Sequence, residues 1–130
     1  MPAQEEPGLV AMLPPRAASA CVARELVTWQ LHDWDIDRFA DDAAVIVTEL
    51  VANAVRHAGT DVELRMQHIE GGIRLEVWDG SALPLQPRVA EAVDEGGRGL
   101  LLVNALSTRH GVVDERGGKR IWVELTLVPA

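Results

Sequence analysis

The sequence has no tyrosine, one phenylalanine and one cysteine, and eleven of its twelve cationic residues are arginine. Cys21 alone cannot close an intramolecular disulfide, and no Cys/His cluster stands at zinc-binding spacing. No apolar run is long enough to cross a bilayer as a helix. The opening MPAQEEPGLV is acidic and lacks the basic start and apolar stretch of a secretory signal. Basic charge is scarce throughout: 12 Lys and Arg face 20 Asp and Glu, for a net charge of −8. Such a balance argues against nucleic acid or an anionic membrane surface as the main partner, because both reward basic patches. A cytoplasmic protein with no direct nucleic-acid or membrane partner is the expectation. A small anionic ligand stays open, since a few cations and backbone amides suffice to hold one.

The 130 residues, 48% hydrophobic and 25% charged, suit one globular domain with a real core. There is no internal repeat and no low-complexity linker. Residues 1–8 read as a flexible tail and 9–130 as the domain. Residues 9–13 form a short apolar run, an edge strand stopped by Pro14-Pro15. Helical spacing of Ala20, Ala23, Leu26, Val27 and Leu31 predicts a helix over 16–31. A second helix is predicted over 37–57, with Asp37 as N-cap, Asp41 and Asp42 in its first turns, and Gly59 ending it. From Thr60 the period changes to two: Val62, Leu64, Met66 and His68 alternate with polar residues. After a turn at Gly71-Gly72, Ile73, Leu75 and Val77 do the same. Residues 80–98 show no period and read as a functional loop or lid. A short apolar helix over 99–106 follows, and then strands over 108–113 and 120–128 with a turn at Gly117-Gly118. The order β-α-α-β-β-loop-α-β-β implies an α+β, two-layer α/β sandwich. Its sheet is mainly antiparallel mixed, with helices on one face.

Three places carry candidate chemistry. On the second helix, Ala40, Val47, Val51, Ala54 and Ala58 cluster on the side expected to meet the sheet, and Asp42, Glu49, Asn53 and Arg56 gather opposite. Val45, Ile46 and Ala52 edge that polar stripe, so it is not a plain solvated face. A carboxylate and an amide one turn apart suit a hydrated divalent cation, because magnesium takes one or two protein oxygens and otherwise water and phosphate. An ordinary charged surface helix is the alternative. Asp79 ends a strand and precedes Gly80, where a carboxylate can accept a hydrogen bond from an exocyclic amine such as that of adenine; a simple Asp-Gly turn is the plainer reading. Gly96-Gly97-Arg98-Gly99 precedes the apolar helix beginning at Leu100, where amides and the helix dipole can meet an anion. It is neither a Walker A motif nor a dinucleotide fingerprint.

Together, and in this order, these segments resemble the GHKL (histidine-kinase-like) family of ATP-binding domains, the Bergerat fold of gyrase, histidine kinases and MutL. TELVANAVRHA resembles the family's N-box, VWDGS its adenine-binding motif, and GGRGLLLV its second glycine box. The short length, Arg98-Gly99-Leu100 and the late GGKRIWVEL resemble the RsbW-like branch, the anti-sigma-factor serine/threonine kinases. The resemblance covers residues 9–128. It implies ATP and Mg2+ as cofactors and Glu49 as the catalytic residue that orients or deprotonates the nucleophile. Asn53 is implied as the magnesium ligand, Asp79 with Gly80 as the adenine contact, and Gly97, Arg98, Gly99 and Leu100 as the phosphate-binding segment. A sigma factor, an anti-sigma-factor antagonist protein, or both are the implied partners, and self-association as a homodimer is expected on the same ground.

Two departures stand out. The usual DxGxG reads Asp79-Gly80-Ser81-Ala82-Leu83, and the family's late Gly-Thr reads Gly118-Lys119-Arg120. The latter removes a hydroxyl and is expected to set two cations near the pocket mouth. His57 reads as a packed or capping residue, the four tryptophans as core or interface, and Cys21 as a small buried side chain. Three functions remain: a kinase transferring the γ-phosphate to a protein, an anti-sigma factor acting by sequestration, and a regulatory ATP-binding module without catalysis.

Overall fold

The computed structural model describes residues 7–81, 103, 105–115 and 117–127. Five strands and two long helices account for most of them: β1 (Pro7–Leu13), α1 (Ala18–Asp33), α2 (Ala40–Ala58), β2 (Val62–Ile69), β3 (Gly72–Asp79), β4 (Arg109–Glu115) and β5 (Gly118–Thr126). Val103, Ala105 and Leu106 are helical, inside the short apolar helix predicted from sequence. The strands form one sheet in the order β1-β2-β3-β5-β4, and every pairing is antiparallel. The architecture is the two-layer α+β sandwich expected from the order of elements.

Alternation in the strands sorts the sheet into two faces. Val62, Leu64 and Met66 of β2, Ile73, Leu75 and Val77 of β3, and Val123 and Leu125 of β5 are all buried beneath the helices. Helix α2 contributes Ala43, Ile46, Val47, Leu50, Val51 and Ala54, and α1 contributes Ala23, Val27 and Leu31. Fully burying one such Val, Leu or Ile side chain stabilises by about 1.5–3 kcal/mol, so this layer is what holds the fold. Helix α2 buries two flanks, one against β2 and β3 and one against α1. That is why Ile46, beside the polar stripe, is fully buried. Among the described residues no helix is long and apolar enough to cross a membrane.

Several local expectations are corrected. Asp37 does not cap α2: residues Asp37–Phe39 form a separate 3-10 turn. The Asp37 carboxylate instead meets His32 Nδ1 at 3.3 Å. Asp41 and Asp42 do occupy the first turn of α2, and Gly59 ends it with φ of 69°, a left-handed conformation that favours glycine. Cys21 is exposed, with Arg24 Nη2 donating to its Sγ at 3.9 Å, because Ala20, Ala23 and Val27 take the buried side of α1. Of the tryptophans expected in the core or at an interface, Trp29 is 65% exposed on the outer side of α1 and so takes no part in the core. Trp34 packs against the core and stacks on His68 with ring centroids 5.2 Å apart.

The sheet face away from the helices is polar and internally paired. Arg120 reaches Glu63, Glu76 and Glu115 at 3.1, 3.3 and 2.7 Å, and Arg74 reaches Glu76 and Glu124, both at 2.8 Å. Partial burial alone would lower the affinity of both guanidiniums for their protons. The carboxylate hydrogen bonds override it and raise both above the ordinary arginine value, so both stay charged. Arg74 also lies over Trp122, 4.3 Å from the ring centroid.

Candidate functional site

Asp79 is the last residue of β3 and falls on the inward set with Ile73, Leu75 and Val77. The alternation that buries three aliphatic side chains therefore drives a carboxylate under the helical layer, where it is 2% exposed. An isolated buried carboxylate is costly and needs a partner. The register supplies one, because Asp79 stands opposite Lys119 at the start of β5. Lys119 is itself 6% exposed, and its Nζ donates to Asp79 Oδ2 at 2.8 Å and to Oδ1 at 3.0 Å. Oδ1 also accepts the backbone N–H of Ser81 at 2.9 Å.

This pairing revises the expectation of two cations at the pocket mouth. Neighbouring residues of a strand point to opposite faces. Lys119 therefore enters the buried layer with Asp79, and Arg120 turns to the open face and its three glutamates. The strands can meet this closely because residue 118 is glycine: a Cβ there would lie 2.1 Å from the carbonyl oxygen of Asp79. The next residue, Gly80, donates its N–H to Thr60 Oγ1 at 2.9 Å, and a Cβ at 80 would sit in tight contact with Thr60, 3.2 Å from its Cγ2. Thr60 lies in the link between α2 and β2, so this bond ties the end of β3 to the end of α2. The motifs single out Lys119 but do not reveal its pairing with Asp79, nor the tie through Thr60; period-two alternation in β5 is the signal that separates Lys119 from Arg120.

Glu49 and Asn53 sit one turn apart on α2, both half-buried. Asn53 is five residues before the helix ends at Ala58, or about 7.5 Å along the axis. After a three-residue link, β2 begins with Val62, which pairs with Asp79. The C-terminal turns of α2 and the end of β3 are thus brought to one end of the sandwich. Glu49 has no hydrogen-bond or ion-pair partner among the described residues, which leaves its carboxylate available. The Asn53 amide oxygen accepts a hydrogen bond from the exposed Arg56, one turn on. That oxygen already faces a cation, and the amide with the Glu49 carboxylate one turn away is an all-oxygen donor set of the kind magnesium accepts. Among the described residues no group of three or more His, Cys, Asp or Glu could hold a metal by itself. Two protein oxygens suit a cation whose other ligands are water or phosphate. His57 is half-buried near the helix end. Gly97, Arg98, Gly99 and Leu100, and the lid expected around them, lie outside the described residues.

In chemical terms, one end of the sandwich presents a buried carboxylate beside an ammonium and, on the neighbouring helix, an uncommitted carboxylate and an amide oxygen. Residues 13–126 match the family model for the histidine kinase-like ATPase domain. No curated protein matches the chain.

Proposed function

Because the chain belongs to the histidine kinase-like ATPase domain family, and is on that ground an ATP-binding regulatory protein, we propose that it is an anti-sigma factor of the RsbW-like branch with serine/threonine kinase activity. The observation that carries the ATP site is Asp79: a carboxylate fixed at a strand end by Lys119 and the Ser81 amide, where it can accept from the adenine amine. Asn53 would hold Mg2+ through its amide oxygen, with Arg56 moving aside. When bound, the metal neutralises phosphate charge. Glu49 accepts the proton of an incoming serine or threonine hydroxyl. That oxygen forms a bond to the γ-phosphorus as the bond from phosphorus to the ADP oxygen breaks. The substrate would be an anti-sigma-factor antagonist protein and the sequestered partner a sigma factor, with the protein acting in the cytoplasm, as a homodimer.

The test is calorimetric titration of the full chain with Mg-ATP. Asp79→Asn puts a donor where an acceptor is needed and is expected to weaken ATP binding about ten- to a hundredfold, the cost of one hydrogen bond to a charged group. Unchanged affinity in that variant rejects the assignment. A second reading, a regulator that binds ATP and its partner without turnover, is favoured by one observation: Asp79 and Asn53 both already face cationic side chains of the same chain. Failure of the wild-type protein to phosphorylate any antagonist while it still binds ATP would select that reading.

A further inference from the structure

The buried Asp79–Lys119 pair has hydrogen-bonding capacity left over. A carboxylate offers about four lone-pair sites, and an ammonium has three N–H groups. Asp79 Oδ1 already accepts twice, from Ser81 N and Lys119 Nζ, whereas Oδ2 accepts only from Lys119. Both bonds that the Lys119 ammonium makes among the described residues go to Asp79, which leaves its third N–H to donate elsewhere. At the end of β3 the pair therefore presents one acceptor and one donor side by side, with 2.8 Å between Oδ2 and Nζ. An amidine edge, an N–H donor next to a ring-nitrogen acceptor, is the complement of that arrangement.

We propose that Lys119 is a specificity-determining residue of the nucleotide site, donating directly to the N1 acceptor of adenine while Asp79 accepts from the N6 amine. This rests on the ATP-binding reading above and names the group that completes base recognition. The pair arrives preassembled: cross-strand register fixes both backbones, and each side chain holds the other in place. Little is left to order when the base enters, so few degrees of freedom are lost on binding. An ammonium also discriminates more sharply than a hydroxyl would, because hydrogen bonds to charged groups are the stronger ones.

The experiment compares ATP with 1-deaza-ATP, in which the N1 acceptor is replaced by C–H, by calorimetry on the full chain. The wild-type protein is expected to bind 1-deaza-ATP about ten- to a hundredfold more weakly than ATP. In Lys119→Thr that difference is expected to collapse, with ATP itself weakened. Equal binding of the two nucleotides by the wild-type protein overturns the proposal, and so does a Lys119→Thr variant that binds ATP more tightly, since the lysine would then compete with the base for Asp79. The wild-type comparison stands even if the variant fails to fold. Absence of ATP binding by the wild-type protein is a different result: it rejects the ATP site itself, and this assignment with it.

Discussion

Replacing Lys119 with methionine is the sharpest test of what the buried pair does for the fold. Methionine matches much of the lysine stem but removes the ammonium, leaving the Asp79 carboxylate 2% exposed with only the Ser81 N–H to stabilise its charge. Breaking one side of a buried ion pair typically costs about 3–5 kcal/mol, because a charge remains without its partner. Unfolding entropy of roughly 2.1 cal/mol/K per residue gives roughly 270 cal/mol/K for this chain of 130 residues, so each kcal/mol lowers Tm by about 4 °C. Lys119→Met in the absence of nucleotide should therefore melt about 11–18 °C below the wild-type protein. Adding Asp79→Asn removes the stranded charge and keeps an oxygen for the Ser81 N–H, so the double variant should melt above the single one. Circular dichroism melts of the three proteins decide the matter. A single variant within about 4 °C of wild type would mean that the carboxylate is not held by Lys119 in solution.

Three further outcomes follow from the same geometry. Glu49→Gln should keep ATP affinity within error while phosphoryl transfer to a protein substrate falls by about a hundred- to ten-thousandfold, because the loss is confined to the transition state. Titration and a radiolabel transfer assay on the same preparation separate the two quantities, and an equal loss in both would assign Glu49 to ground-state binding. In Asn53→Ala, ATP affinity should lose its dependence on Mg2+, as measured by titration with and without chelator; a magnesium response of wild-type size would remove Asn53 from the metal. Arg120→Ala leaves Glu63, Glu76 and Glu115 without their shared guanidinium, a loss expected at about 1–3 kcal/mol in urea denaturation. ATP affinity should not change, because Arg120 lies on the opposite face of the sheet from Asp79, and a marked drop would contradict the two-face assignment.

Much of this molecule was legible because its periodicities are clean. Period two in β2 and β3 and the glycines at 59, 71 and 117 located elements whose ends moved by only a few residues in the structure. Each of these glycines has positive φ, so turn chemistry and backbone agree. Local rules give the wrong answer where they compete with tertiary ones. Asp37 satisfies the N-cap preference, yet its carboxylate finds His32 and a 3-10 turn intervenes. Cys21 is of a type that favours burial, yet its position on α1 lies off the buried stripe, and position overrides type.

The most consequential difference concerns two adjacent cations that motif comparison treats as one feature. Val123 and Leu125 are buried; stepping back along β5 by twos reaches Ile121 and then Lys119, and the odd positions are thereby committed to the helical layer. Glu124, Trp122 and Arg120 are committed to the other face by the same count. A lysine can be tolerated in that layer only opposite a carboxylate, and the register places Asp79 there. The position that departs from the family's hydroxyl is thus coupled to the residue proposed to recognise the base. A substitution at 119 must change Asp79 as well, so base affinity and fold stability will respond to it together. At Arg120 they are separable, and comparison of the two variants reads out which face of the sheet holds the nucleotide.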